Sequence, residues 1–185
     1  MKQPKVIETI PYKIASSIGT WIGDQRLSGY ITSIKYEDID INDFKVGDII
    51  LNRTNWTFTS ALIPGYWSHA AIYVGDGKVV EALSDGVVCH SVYNCLGHCD
   101  SYCILRPVID LSNDENFINA IISHIGKLYD FFFKFSKNGI MSCTEVVYVC
   151  YSPYPLGIKL NHKGMLYPDD IYYNEFFECI KEIRK

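Results

Sequence analysis

Residues 67–82 read WSHAAIYVGDGKVVEA. A histidine, His69, opens an apolar strand, Gly75-Asp76-Gly77 makes a tight turn, and the return strand carries one carboxylate, Glu81. Two strands joined this way can hold an imidazole beside the acid that orients it, provided the register is right. A two-residue loop, Asp76-Gly77, pairs Gly75 with Lys78 and puts Glu81 opposite Ile72, on the face away from His69. A three-residue loop, Gly75-Asp76-Gly77, pairs Val74 with Lys78 and Ala71 with Glu81. The second is expected, because Gly77 lies where that turn needs a left-handed backbone. His69, Ala71, Tyr73, Val79, Glu81 and Leu83 then share one face. Glu81 sits diagonal to His69, about 7 Å between backbones, a gap that long side chains bridge. A carboxylate among Val79, Val80, Ala82 and Leu83 is also costly to bury unpaired, and an imidazolium would be its simplest partner.

The hairpin lacks a nucleophile, and Met141-Ser142-Cys143-Thr144-Glu145-Val146-Val147 supplies a candidate. Ser142 followed three residues later by Glu145, just before an apolar run, is a capping-box pattern. Cys143 is then the first helical residue, where the partial positive charge of the helix N-terminus favours thiolate over thiol. Ser142 and Glu145 are read as capping residues rather than catalysts. Val146, Val147, Tyr148 and Val149 favour a strand on propensity alone, so the cap and burial must overrule them.

With these residues in view, GDIIL at Gly47 to Leu51 followed by SHAAIYVGDGKVVEA resembles the histidine half of the NlpC-type papain-like cysteine peptidases and amidases. There a strand of the form SHxGIY precedes a third polar residue. In the usual members the cysteine comes before the histidine. Here it comes after, and Tyr129-Asp130 followed by SCTEVVY is similar to the CSELV-type helix of the circularly permuted, YiiX- and YebB-like branch. The resemblance runs from Lys45 to Ile171, with Ala71 standing where many relatives have glycine. It implies an α+β, permuted papain-like fold over residues 1–185, with helices packed on one side of an antiparallel sheet. It also implies Cys143 as nucleophile, His69 as base, Glu81 as the orienting third member, and no cofactor. The bond attacked would be an amide or ester in a peptide, amide or lipid-like small substrate.

Composition sets the outer limits. A length of 185 residues with 48% apolar content suits one folded domain with a substantial core. A net charge of −4 with both signs dispersed gives no basic stripe for nucleic acid. No stretch approaches the ~20 apolar residues of a membrane span, and MKQPKVIETIPYKIASS lacks an uninterrupted signal core, so a cytoplasmic location is expected. Seven cysteines are read as reduced thiols. Cys89, His90, Cys95, His98, Cys99 and Cys103 offer possible zinc ligands but lack paired CxxC spacing. Two other classes of function therefore stand beside the hydrolase: a catalytically inactive ligand-binding module of the same fold, and a zinc-stabilised interaction domain.

Further elements follow from pattern. Ile14, Ile18 and Ile22 suggest a short N-terminal helix. Strands are expected at 48–52, 70–74, 78–83, 87–92 and 102–106. Ser112-Asn113-Asp114-Glu115 repeats the capping-box pattern before a helix ending near Gly126. Tyr167-Pro168-Asp169-Asp170 reads as another helix start, and 177–183 as a final edge strand. Trp56, Tyr66 and Trp67 are candidate walls of an apolar groove, and Tyr129 and Asp130 candidate pocket residues. Phe131, Phe132, Phe133 and Phe135 suit an acyl chain or a core equally. His124 falls on an amphipathic helix, Cys150 and Cys179 read as packing thiols, and no partner is evident for His90, His98 or His162.

Overall fold

The computed structural model describes residues 34–55, 60, 63–131 and 139–185. The expected N-terminal helix, Trp56 and the aromatic positions Phe132, Phe133 and Phe135 lie outside the described residues. Six antiparallel strands form the main sheet: β1 (Ile49–Arg53), β2 (His69–Gly75), β3 (Lys78–Leu83), β4 (Gly86–Ser91), β5 (Ser101–Pro107) and β8 (Phe177–Arg184), in the order β4-β3-β2-β1-β5-β8. Two short strands, β6 (Leu128–Tyr129) and β7 (Ile140–Met141), pair in parallel beside it. The C-terminal strand lies at the sheet edge, as its sequence position suggested.

Alternation along the strands decides which element covers which face. Ile49, Leu51, Ala70, Ile72, Val80 and Ala82 point to one side. There they meet Phe117 and Ile121 of α2 (Glu115–Ile122), Val146, Val147 and Cys150 of α3 (Cys143–Tyr151), and Ile171 of α4 (Pro168–Tyr172). These three helices do segregate to one face. The opposite face is covered as well: Ile50, Ala71, Tyr73, Val79, Tyr102 and Ile104 pack with Val92, Cys95 and Leu96 of a short helix, α1 (Val92–Leu96), and with Ile39 and Phe44 beside two 3-10 turns. Burial on both faces explains why β1 reads as an unbroken apolar run rather than as an alternation.

α1 was not evident from the sequence, which continued the strand to Val92; Ser91 caps it instead, accepting from the Tyr93 N–H. α2 starts two residues later than the capping-box reading placed it. Asp114 is the cap, accepting from the N–H groups of Asn116 and Phe117, while the Ser112 hydroxyl bonds to Asp110. Asp is as good a cap as Ser, and the carboxylate closest to the apolar run prevails.

The hairpin combines features of both loops considered for it. Gly75 pairs with Lys78, so the turn has two residues, yet Ala71 pairs with Glu81. A bulge between Tyr73 and Gly75 absorbs the difference. Asp76 (φ 51°) and Gly77 (φ 67°) take the left-handed conformations that this turn needs. The extra residue is thus Val74, in the strand rather than in the loop, and its side chain still packs on the α3 face.

Phe117 anchors α2, with edge-on ring contacts to Tyr151 and Tyr154. Phe117→Ala should therefore lower the unfolding free energy by about 3–5 kcal/mol in urea titrations; a loss below ~1 kcal/mol would mean that this contact does not hold the helix to the sheet.

Candidate active site

Cys143 is the first residue of α3, and the capping box expected there is complete. The Ser142 N–H donates to Glu145 Oε2 at 2.6 Å, and the Glu145 N–H donates to Ser142 Oγ at 3.4 Å. This reciprocal pair fixes the start of the helix, so strand propensity loses to a satisfied cap and a buried face. The backbone N–H of Cys143 is among those that have no acceptor within the helix.

His69 begins β2 opposite Asn52 of β1. Its Nε2 bonds to Oε2 of Glu81. The Cys143 sulfur lies near enough to the ring to act on its charge, and Nδ1 is the ring nitrogen that Glu81 leaves open. Burial works against a charge on this ring, but the Cys143 sulfur and the Glu81 carboxylate outweigh it and raise the His69 pKa to about 10. Glu81 is 2% exposed. Burial pushes its carboxyl up, and the charge and hydrogen bond of His69, joined by those of His90, bring it down to about 2.

His90 is a member of this cluster that the sequence reading passed over. Its Nε2 bonds to Oε1, the other oxygen of Glu81. The signal was present: β3 pairs with β4 so that Val79 faces His90, which places His90 diagonal to Glu81 just as His69 is on the other side. Cys95 of α1 completes the surroundings, with its Sγ 3.7 Å from Glu81 Oε2 and 3.6 Å from the Asn52 amide nitrogen. Burial and the adjacent Glu81 charge hold the Cys95 pKa well above the ordinary thiol value, so the group is a neutral donor.

Other expectations sort on the same geometry. Tyr129 lies close enough to Cys143 that, after burial, the charge there is the next influence raising its hydroxyl pKa. The β6–β7 pairing fixes that segment, and the Asp130 N–H donates to the Met141 carbonyl. Trp67 is fully buried against Tyr66 and Tyr172, so it is a core aromatic rather than a groove wall. The backbone leading to His69 is held by Asp169 of α4, which accepts from the N–H groups of Tyr66 at 2.9 Å and Trp67 at 2.7 Å. Gly65 makes room for this clamp: a Cβ there would meet the Asp169 carboxylate at 2.3 Å. Cys150 is buried as expected and Cys103 is buried too, whereas Cys179 is exposed because it lies on the edge strand. The residues from Cys89 to Cys103 do not gather into a zinc site. Among the described residues no group of three or more His, Cys, Asp or Glu side chains could hold a metal ion, and no helix is long and apolar enough to cross a membrane.

Comparison with known proteins bears on the family and the fold. A family described as permuted papain-like amidase enzymes of the YaeF/YiiX type, C92, matches residues 43–177. The crystal structure of metalloprotein yiiX from Escherichia coli O157:H7 superposes with a TM-score of 0.57 at 16% identity, covering 76% of this chain and 98% of that one. No curated protein matches the chain.

The two shifted groups give the stability a definite pH dependence. His69 binds its proton more tightly folded than unfolded, so its contribution is complete below its ordinary value of 6.5 and is lost as pH rises through about 10. Glu81 contributes above its ordinary 4.5 and loses that contribution as pH falls through about 2. The urea midpoint should therefore be highest between these ordinary values and fall on the alkaline side. Glu81→Gln should remove about 3–5 kcal/mol near neutrality, as breaking a buried pair does, and flatten both limbs; equal pH profiles for the two proteins would contradict the pairing.

Proposed function

The chain belongs to the family of permuted papain-like amidases, and on that premise we propose that it is a thiol hydrolase in which Cys143 is the nucleophile, His69 the base and Glu81 the group that orients it. The observation carrying this reading is the sequence of contacts from Cys143, at the mouth of a capped helix, through His69 to a buried carboxylate. Nucleophile, base and orienter are within reach of one another in the order that such chemistry needs.

The steps follow from these positions. With the Cys143 proton on His69, the sulfur attacks the acyl carbonyl carbon, and the carbonyl oxygen takes up the electron pair. The free N–H groups at the start of α3, Cys143 among them, face that developing charge. His69 gives its proton to the departing amine nitrogen as the C–N bond breaks, leaving a thioester on Cys143. Water then loses a proton to His69 as its oxygen attacks the thioester carbon. The carboxylic acid departs and the sulfur recovers the proton. Glu81 keeps Nε2 of His69 protonated throughout, so that Nδ1 is the nitrogen facing the reaction. An ester would react by the same route with an alcohol as leaving group. The solved neighbour is titled a metalloprotein. That title is the neighbour's own, and the steps above run on the side chains of Cys143, His69 and Glu81.

p-Nitrophenyl acetate, a small activated acyl donor, tests the assignment without knowledge of the natural substrate. It should release a burst of nitrophenol and leave an acetyl group on the Cys143 peptide, and Cys143→Ala or His69→Ala should abolish the burst. Acetylation that instead follows exposure, favouring Cys89 and Cys179, would contradict the mechanism.

A further inference from the structure

We infer that His90 is a positioning residue for the hydrolytic site, holding Glu81 by Oε1 so that Oε2 stays on His69. This rests on the reading of Cys143 and His69 as nucleophile and base. A carboxylate turns freely about its terminal torsion, which has broad preferences, and one hydrogen bond leaves that motion open. Glu81 sits on the middle strand of three. His69 reaches Oε2 from β2 on one side, and His90 reaches Oε1 from β4 on the other. Two donors on two oxygens from opposite sides fix the plane of the group. The third neighbour, the Cys95 thiol from α1, lies on Oε2, and Asn52 from β1 meets Cys95 rather than the carboxylate.

The second imidazole also acts on charge. From Cys143 through His69 and Glu81 to His90 the groups alternate in sign or polarity. An N–H donated to Oε1 keeps Glu81 ionised, and therefore keeps a counter-charge behind the His69 imidazolium. Without His90, the carboxyl takes up a proton at higher pH and loses its fixed orientation. Cys143 then loses the base that draws its proton away. β4 is an edge strand and the His90 side chain is 25% exposed, so the position can be altered without opening the core.

The test is the pH profile of Cys143 alkylation by iodoacetamide, read peptide by peptide in the full chain. Wild type should alkylate Cys143 at lower pH than the exposed Cys89 and Cys179. His90→Ala should slow Cys143 alkylation at neutral pH about tenfold and move its acid limb upward, with His90→Gln, which restores an N–H donor, returning most of the rate. A wild-type profile matching Cys89 and Cys179 would remove the hydrolase reading itself. A shifted wild-type profile that His90→Ala leaves unchanged would overturn only the role of His90, as would His90→Gln failing as fully as His90→Ala while melting like wild type. If His90→Ala does not fold, nitrogen-15 NMR of the wild type decides: a proton on Nε2 of His90, retained at neutral pH and lost from its downfield position in Glu81→Gln, supports the inference, and a His90 protonated only on Nδ1 overturns it.

Discussion

A carboxylate shut away from water needs compensation for its charge, and Glu81 finds it on both neighbouring strands. His69 from β2 and His90 from β4 each occupy one oxygen, and the Cys95 thiol adds a weak donor from the helix above. Left unpaired, such a group would take up a proton or open the sheet. Paired, it becomes a fixed negative point within a rigid layer, and the imidazole beside it inherits both an orientation and a raised affinity for its proton. The geometry and charge of the cluster are thus a consequence of how one buried charge is satisfied.

The fold delivers that arrangement through two local devices far apart in the chain. The bulge at Val74 lets an Asp-Gly turn, which suits two residues, coexist with the register that brings Glu81 onto the His69 face. The capping box at Ser142 and Glu145 fixes where α3 begins, and so places the sulfur. Between them, Asp169 holds the backbone just before His69 from a helix near the C-terminus, which ties the last third of the chain to the position of that imidazole. The cluster draws on contacts from β1, β4, α1 and α4, although its central residues come from one hairpin and one helix.

Much of this was legible in the sequence because it is local. The capping box is a four-residue pattern, and the Ala71–Glu81 register was reached through the left-handed backbone expected of Gly77, which the structure shows. The location of the extra residue was not legible, since a bulge in the strand and a longer loop give the same pairing beyond them. Asp114 displaced Ser112 as the α2 cap because both patterns were present and only packing of Phe117 selects between them. His90 was missed for a different reason: its partner lies on a strand already assigned to another histidine, and a carboxylate is easily counted as having one partner when it has two oxygens. Extending the register from β3 to β4 would have found it.

The most direct test is a titration of the His69 ring followed by nitrogen-15 NMR in the wild type and in Cys143→Ala. His69 should remain an imidazolium through neutrality and release its proton only at alkaline pH, near the value of about 10 that the Cys143 and Glu81 charges impose. Its transition should move downward when the sulfur is removed. A ring that titrates at the ordinary histidine value of 6.5, unchanged by Cys143→Ala, would mean that the sulfur and the imidazole do not share a proton.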